Sequence, residues 1–241
     1  IKNFVEKYSN NIKYLRNAFF QVLLTLTTLQ YHLPSFRHND LHNNNVNFDL
    51  FGFPGEEKYY KNYKKNRYYI TYESMGKIFY IPYLGFCAKL IDFDVSCSKD
   101  VPNSKVKIDK VYKKNGVTCK SNPVFDTHLI LNSCTYKFFE TFIGGAYNSN
   151  SKRLHSEMIK FMDRNIPADL RGFNTDKLGY ARIKEIKSIP KGLKTPIDVI
   201  MEDPLFAKYQ EKPKSGKVIM HYDTKIPNLT KLRKLRPEMF I

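Results

Sequence analysis

The sequence is poor in cysteine, in acidic residues and in long apolar runs, and each shortage excludes a class of protein. Its four cysteines show no C-x-x-C spacing and no paired histidines nearby, which argues against a zinc site and favours reduced thiols in a cytosol-like compartment. No apolar run is long enough to span a bilayer, and no signal peptide opens the chain. We therefore expect a globular protein with reduced thiols and no membrane span.

Acidic residues are outnumbered, since 40 Lys and Arg stand against 23 Asp and Glu and give a formal net charge of +17. This excess favours acidic partners such as nucleotides, nucleic acid, acidic proteins and anionic surfaces. It does not choose among them, because a solvated basic surface on a protein from an AT-rich genome explains the same composition. With 42% hydrophobic residues, the 241-residue chain can bury one sizeable core, so one or two domains are expected.

Apolar periodicity predicts four helices. Apolar residues at steps of three and four predict an amphipathic helix from about Ile12 to Leu33, and Pro34 ends it. Apolar residues around most of the circumference predict a buried helix from about Phe125 to Phe142. A further helix is predicted at Arg153 to Arg164, and a short last one opens at Thr195, which a proline follows.

The rest of the chain divides into strands, an insertion and a tail. Aromatic and β-branched residues from Ile70 to Asp92 predict two or three short strands. The charged, turn-rich stretch at about residues 49–69 predicts an exposed insertion. Residues 98–122 lack a period, which predicts a mobile segment. Residues 211–241 are predicted to form a basic tail after a single unit at 1–210.

One stretch, "FRHNDLHNNNVNF", concentrates polar groups just after the first predicted helix. Its spacing is H-x-D-x-x-x-x-N, formed by His38, Asp40 and Asn45, and the predicted strand in "KLIDFD" delivers a second acid, Asp92. Carboxylate and amide oxygens at these places suit Mg²⁺ together with a phosphate ester, and they leave one carboxylate to orient a nucleophile. The alternative is that these residues only form turns, since Asn and Asp bond to their own local backbone.

The two motifs resemble the catalytic loop and the D-F-G of protein kinases. As in such folds, a long helix leads into the loop, a short hairpin follows it, and a strand ends in the second acid. The stretches "IPYLGFCAKLIDFDVS" and "TPIDVIMEDPLFAKY" are similar to those of Ser/Thr protein kinases of large nucleocytoplasmic DNA viruses. This resemblance implies an α+β, predominantly helical fold: a protein-kinase-like large (C-terminal) lobe with a short β-hairpin region.

The resemblance also implies roles for particular residues. Asp40 corresponds to the catalytic base, and His42 stands where Ser/Thr kinases commonly carry the lysine that touches the transferred phosphate. Asn45 and Asp92 correspond to the ligands of the Mg²⁺ (or Mn²⁺) that accompanies ATP. The implied cofactors are therefore a divalent metal ion and ATP.

Two further residues correspond to structural supports of the site, and two others depart from the kinase pattern. His38 resembles the histidine that braces the catalytic loop, and Asp126 resembles the acid that ties the loop backbone to a central helix. Asn39 replaces the arginine that pairs with a phosphorylated activation segment in many kinases, so such a phosphate would lack a bidentate partner here. Asp94 replaces the glycine of D-F-G and removes its backbone freedom.

Three functions remain open from the sequence. The first is a Ser/Thr protein kinase of the host cytoplasm or the virion. Neither a glycine-rich loop nor a V-A-I-K-like lysine precedes Leu15, so its small lobe is expected upstream of Ile1 or on a partner chain. The second is a small-molecule phosphotransferase of the choline-kinase or aminoglycoside-phosphotransferase type, whose motifs His42 and Asp94 suit better. The third is a non-catalytic kinase-like component that contacts other virion proteins.

Overall fold

Helices and short strands alternate along the parts of the chain that the computed structural model describes, residues 11–49, 59, 67–108, 117–143, 149–170 and 192–240. The six α-helices there are α1 (Ile12–His32), α2 (Ser104–Ile108), α3 (Phe125–Ile143), α4 (Ser149–Asn165), α5 (Pro196–Glu202) and α6 (Leu229–Leu235). The five strands are β1 (Val46–Asp49), β2 (Tyr68–Ser74), β3 (Lys77–Pro82), β4 (Cys87–Leu90) and β5 (Lys217–Asp223). This content is that of an α+β fold.

The four helices predicted from periodicity are confirmed as α1, α3, α4 and α5. Helix α1 begins where Asn11 accepts a backbone N–H through its side chain, and it ends just before Pro34. Helix α5 begins at Thr195, whose side chain and that of Asp198 cap each other's backbone N–H groups. None of the helices in the described parts of the chain has both the length and the apolar character needed to cross a membrane.

The strands form two small sheets. In the first, β1 pairs antiparallel with β4, so that Val46 lies opposite Leu90. In the second, β2 lies between β3 and β5. The β2–β3 hairpin turns at Met75 and Gly76, which both have positive φ, and such turns match the twist of the paired strands. The strands predicted before Asp92 are thus confirmed as β2, β3 and β4.

Strands also occur outside the predicted region, and there the sequence prediction was wrong. Beyond β1, the supposed basic tail contains β5, which pairs in parallel with β2, and α6, whose Leu232 is buried. The supposed mobile segment 98–122 contains α2, and its Val106 and Val117 are buried together. The predicted insertion at about 49–69 lies largely outside the described residues.

The core forms around α1. The completely buried Phe20 lies 5.2 Å from the ring of Phe79 on β3 and 5.7 Å from that of Phe206, which follows α5. Tyr209 packs edge-on against the same ring at 5.2 Å. A buried aromatic side chain of this kind contributes about 1.5–3 kcal/mol through its removal from water. Helix α1 is therefore held on several sides, and the loop that leaves its C-terminal end starts from a fixed support.

Candidate functional site

The polar loop between α1 and β1 is anchored by two buried apolar side chains, Phe36 and Leu41. Between them, Asn39 adopts a left-handed backbone with φ 68°, a conformation that asparagine tolerates better than most residues. His42 then starts a 3-10 turn, Asn43–Asn45, because its Nδ1 accepts the N–H of Asn44 at 3.2 Å. The loop is thus fixed at its start, its middle and its end.

Asp126 holds this loop from the first turn of α3. Its Oδ2 accepts the backbone N–H of His38 at 2.7 Å, and its Oδ1 accepts that of Asn39 at 2.9 Å. The side chain is completely buried. Burial raises the pKa of Asp126, while the nearby Arg37 and the two N–H donors oppose that rise by stabilising the carboxylate. The structure therefore places Asp126 in contact with the loop backbone, which is the contact that the resemblance implies.

His38 joins the loop to the segment that carries Asp92. Its Nε2 lies 3.0 Å from the carbonyl oxygen of Ile91, and its ring lies 4.9 Å from the ring of Phe93. The hydroxyl of Ser96 donates to the carbonyl of His38 at 3.1 Å. Because the histidine is itself completely buried, these contacts fix both segments relative to each other.

Asp40 carries a partly exposed carboxylate with two polar neighbours. The side-chain amide of Asn45 donates to the backbone carbonyl of Asp40 at 2.8 Å and lies 3.3 Å from its Oδ2. His42 places its Nε2 3.6 Å from the same Oδ2. Since Nδ1 of His42 accepts the N–H of Asn44, the proton of the neutral ring is on Nε2, facing Asp40. The carboxylate of Asp40 is therefore positioned and still reachable, with 44% of the side chain exposed.

Asp92 lies beside Asn45 because the two residues adjoin paired strands. The backbone N–H of Ile91 donates to the carbonyl of Asn45 at 3.0 Å, and Asp92 follows with a left-handed φ of 62° and an exposed side chain. The amide nitrogen of Asn45 is bound to Asp40, which leaves its amide oxygen for a metal ion. An amide oxygen and a carboxylate are hard ligands of the kind Mg²⁺ prefers. The described residues include no group of three His, Cys, Asp or Glu that could hold a metal ion by itself, so phosphate oxygens and water would complete such a site.

Asn39 makes contacts that the sequence did not predict. Its side-chain amide donates to the carbonyl of Val95 at 2.9 Å and to that of Thr118 at 3.1 Å. The same nitrogen lies 3.4 Å from the sulfur of Cys97. A single buried side chain thus joins the loop to the segment just after Asp92 and to the segment just before α3.

Arg37 was also missed, although it directly precedes His38. Its backbone exchanges two hydrogen bonds with Cys97, at 2.8 and 2.9 Å, and its guanidinium donates to the hydroxyl of Thr118 at 2.8 Å. The guanidinium carbon lies 3.9 Å from the ring centre of Phe125, a favourable cation–π position. The positive charge therefore lies near Asp126 and contributes to holding that carboxylate ionised.

Two proteins of Acanthamoeba polyphaga mimivirus are similar to this chain, and each is named "Putative serine/threonine-protein kinase". The first is 31% identical over 195 residues, which make up 79% of this chain and 37% of that protein. The second is 28% identical over 222 residues, which make up 87% of this chain and 51% of that protein. The chain therefore spans about half of one relative and less of the other.

No protein-family profile matches the chain. No solved structure matches it either. Both relatives share the same description, and both similarities extend over more than three quarters of this chain. The chain therefore resembles viral serine/threonine protein kinases over most of its length.

Proposed function

We propose that this chain is the large lobe of a protein kinase that transfers the γ-phosphoryl group of ATP to a serine or threonine hydroxyl of a protein. The observation that carries the proposal is the double hydrogen bond from the loop backbone to the buried Asp126, because it fixes the residue just before Asp40. The names of the two mimivirus relatives support the same reaction class. The kinase-like unit is proposed to cover residues 1–210, with an insertion at about 49–69, together with β5 and α6, which pack against it.

In this proposal, Asp40 orients the acceptor hydroxyl and takes its proton as the bond to phosphorus forms. The carboxylate is exposed enough to meet a substrate, and Asn45 holds its backbone in place. His42 presents its Nε2–H toward Asp40, where it supports the carboxylate and can donate to the transferred phosphate. Asn45 and Asp92 would hold Mg²⁺ (or Mn²⁺), which neutralises charge on the phosphate oxygens when bound.

We further propose that a small lobe on another part of a longer polypeptide, or on a partner chain, covers the nucleotide. The supporting observation is that the relatives are about two to three times longer than the matched regions. The site of action would be the host cytoplasm or the virion. The net charge of +17 would favour acidic partners there, including nucleic acid and acidic virion proteins.

The test is phosphate transfer from γ-labelled ATP by the full-length protein, with a casein-like protein, choline and an aminocyclitol as acceptors. We expect labelling of the protein acceptor. Asp40→Asn and Asp92→Asn should each lower the rate by about 10²-fold or more, because each removes a charge that acts on the reacting groups. The matched control is Asp100→Asn, an exposed carboxylate nearby, which should keep the rate.

The same assay separates the alternatives. Labelling of choline or the aminocyclitol alone would favour the small-molecule phosphotransferase, which His42 beside Asp40 also suits. Asp94, which also suits that alternative, forms an exposed ion pair with Lys105 of α2 at 2.8 Å. Transfer to none of the acceptors, together with no ATP hydrolysis, would favour a non-catalytic virion component.

A further inference from the structure

We propose that Cys97 and Cys119 form a modification site, a thiol pair that a hydroperoxide oxidises to a disulfide. The bond would join the segment after Asp92 to the segment before α3. This proposal is independent of the proposed phosphate transfer, because its chemistry and its test concern only the two sulfurs.

Both cysteines belong to one small apolar cluster. The sulfur of Cys97 lies 3.4 Å from the carbonyl oxygen of Thr118, the residue before Cys119, and Cys119 packs against the cluster that contains Cys97. Val106 and Val117 are buried around them. Cys97 itself is only 3% exposed, whereas Cys119 is partly exposed. A disulfide needs the sulfurs at about 2.05 Å and the Cα atoms at about 4.4–6.8 Å, so closing the bond requires the two side chains to turn toward each other within this cluster.

The backbones that carry the two cysteines are held by the same loop. Arg37 pairs with the backbone of Cys97 and donates through its guanidinium to Thr118. The amide of Asn39 donates to the carbonyl of Thr118 and contacts the sulfur of Cys97. Because both segments have these anchors in the reduced protein, the disulfide does not need to bring distant parts of the chain together.

The oxidation proceeds in two balanced steps. The thiolate of the partly exposed Cys119 attacks the terminal oxygen of the hydroperoxide, the O–O bond breaks, an alcohol leaves, and a sulfenic acid forms. The sulfur of Cys97 then attacks that sulfenic sulfur, the S–S bond forms, and the hydroxyl leaves as water. In sum, two thiols and one hydroperoxide give one disulfide, one alcohol and one water.

The second step should be slow at neutral pH and faster in alkali. Burial and the neighbouring Cys119 thiol raise the pKa of Cys97 to about 12, while the amide of Asn39 and the charge of Arg37 oppose that rise. Since the thiolate is the attacking form, its population at Cys97 grows about tenfold for each pH unit below that value. The pair is thus expected to stay reduced under mild conditions and to close under sustained oxidation.

The experiment is a peptide map of the folded full-length protein after treatment with tert-butyl hydroperoxide at pH 7 and pH 9. Free thiols are then blocked, and trypsin is added without reductant. We expect peptide 90–99, which contains Cys97, to be linked to peptide 115–120, which contains Cys119, and to accumulate faster at pH 9. Cys119→Ser should abolish the link, whereas Cys87→Ser, which removes another partly exposed thiol, should leave it.

A melting curve gives a second readout. A disulfide that fits the folded geometry should raise the melting temperature by about 5–10 °C, and a reducing agent should reverse the rise. Melting of reduced Cys119→Ser shows that this variant is folded. The proposal is overturned if the linked peptide is absent while Cys87 is oxidised, if the link appears only in urea, or if closing it leaves or lowers the melting temperature.

Discussion

Replacing Asp126 by alanine should destabilise the protein strongly, because two buried backbone N–H groups would lose their acceptor. The affected groups belong to His38 and Asn39, which are 0% and 2% exposed, so water cannot replace the carboxylate. An unpaired buried donor costs about 1–3 kcal/mol, which gives about 2–6 kcal/mol for the pair. Removing a charge that burial disfavours returns part of this cost, so we expect the lower half of the range.

The assay is equilibrium unfolding in urea, followed by circular dichroism because the chain has no tryptophan. Asp126→Asn keeps one acceptor oxygen and should lose about half as much free energy of unfolding as Asp126→Ala. The control Asp100→Asn removes an exposed carboxylate and should change it by less than about 0.5 kcal/mol. An Asp126→Ala midpoint equal to that of the control would refute the reasoning.

Three further predictions concern a salt bridge, a hairpin turn and phosphorylation. Asp203→Ala should lower the free energy of unfolding by about 1.5–3 kcal/mol, since Asp203 is 3% exposed and accepts two bonds from the partly exposed Arg164 at 2.9 and 2.8 Å; an unchanged urea midpoint would contradict this. Gly76→Ala should cost about 1–3 kcal/mol by the same measurement, because φ is +74° and a Cβ would lie 2.8 Å from that of Asn228; wild-type stability would argue against the hairpin turn. Phosphatase treatment should leave phosphate transfer unchanged, because Asn39 offers no bidentate partner for a phosphate; loss of labelling would show otherwise.

The helices could be predicted because the spacing of their apolar residues is visible in the sequence. In α1, apolar side chains recur with the helical period and are buried, among them Leu15, Phe19 and Leu23. In α3, the side chains described through Cys134 are buried on every face, and the apolar ones among them, such as Leu129, Ile130 and Leu131, set the pattern. Local periodicity was sufficient in both cases, since the same residues that set the pattern also make the core.

Strand β5 and helix α6 could not be found in this way. The side chains of β5 are mostly exposed or half-buried, so it has no apolar alternation to detect. It is a strand because its backbone pairs with β2, which lies about 150 positions earlier in the chain. Helix α6 has only seven residues and one fully buried side chain, Leu232. Both elements depend on tertiary contacts that no short window of sequence contains.

The candidate site, too, could be predicted from the sequence only in part. The motif spacing placed His38, Asp40 and Asn45 in one loop, and the structure puts Asp92 and Asp126 next to that loop. The contacts of Arg37 and Asn39 were not predictable, because their partners follow only from how distant segments meet. The sequence showed that residue 39 carries no charge, but it could not show which groups the side-chain amide of Asn39 binds.

The choice of asparagine at position 39 has a physical reason in the structure. The side chain is 2% exposed, and an isolated guanidinium there would require a buried counter-charge, whereas a neutral amide needs only hydrogen-bond partners. The carbonyls of Val95 and Thr118 provide them. The positive charge lies instead on Arg37, close to Asp126 and over the ring of Phe125. The loop is thus joined to both segments by hydrogen bonds of a neutral amide, which need no phosphate.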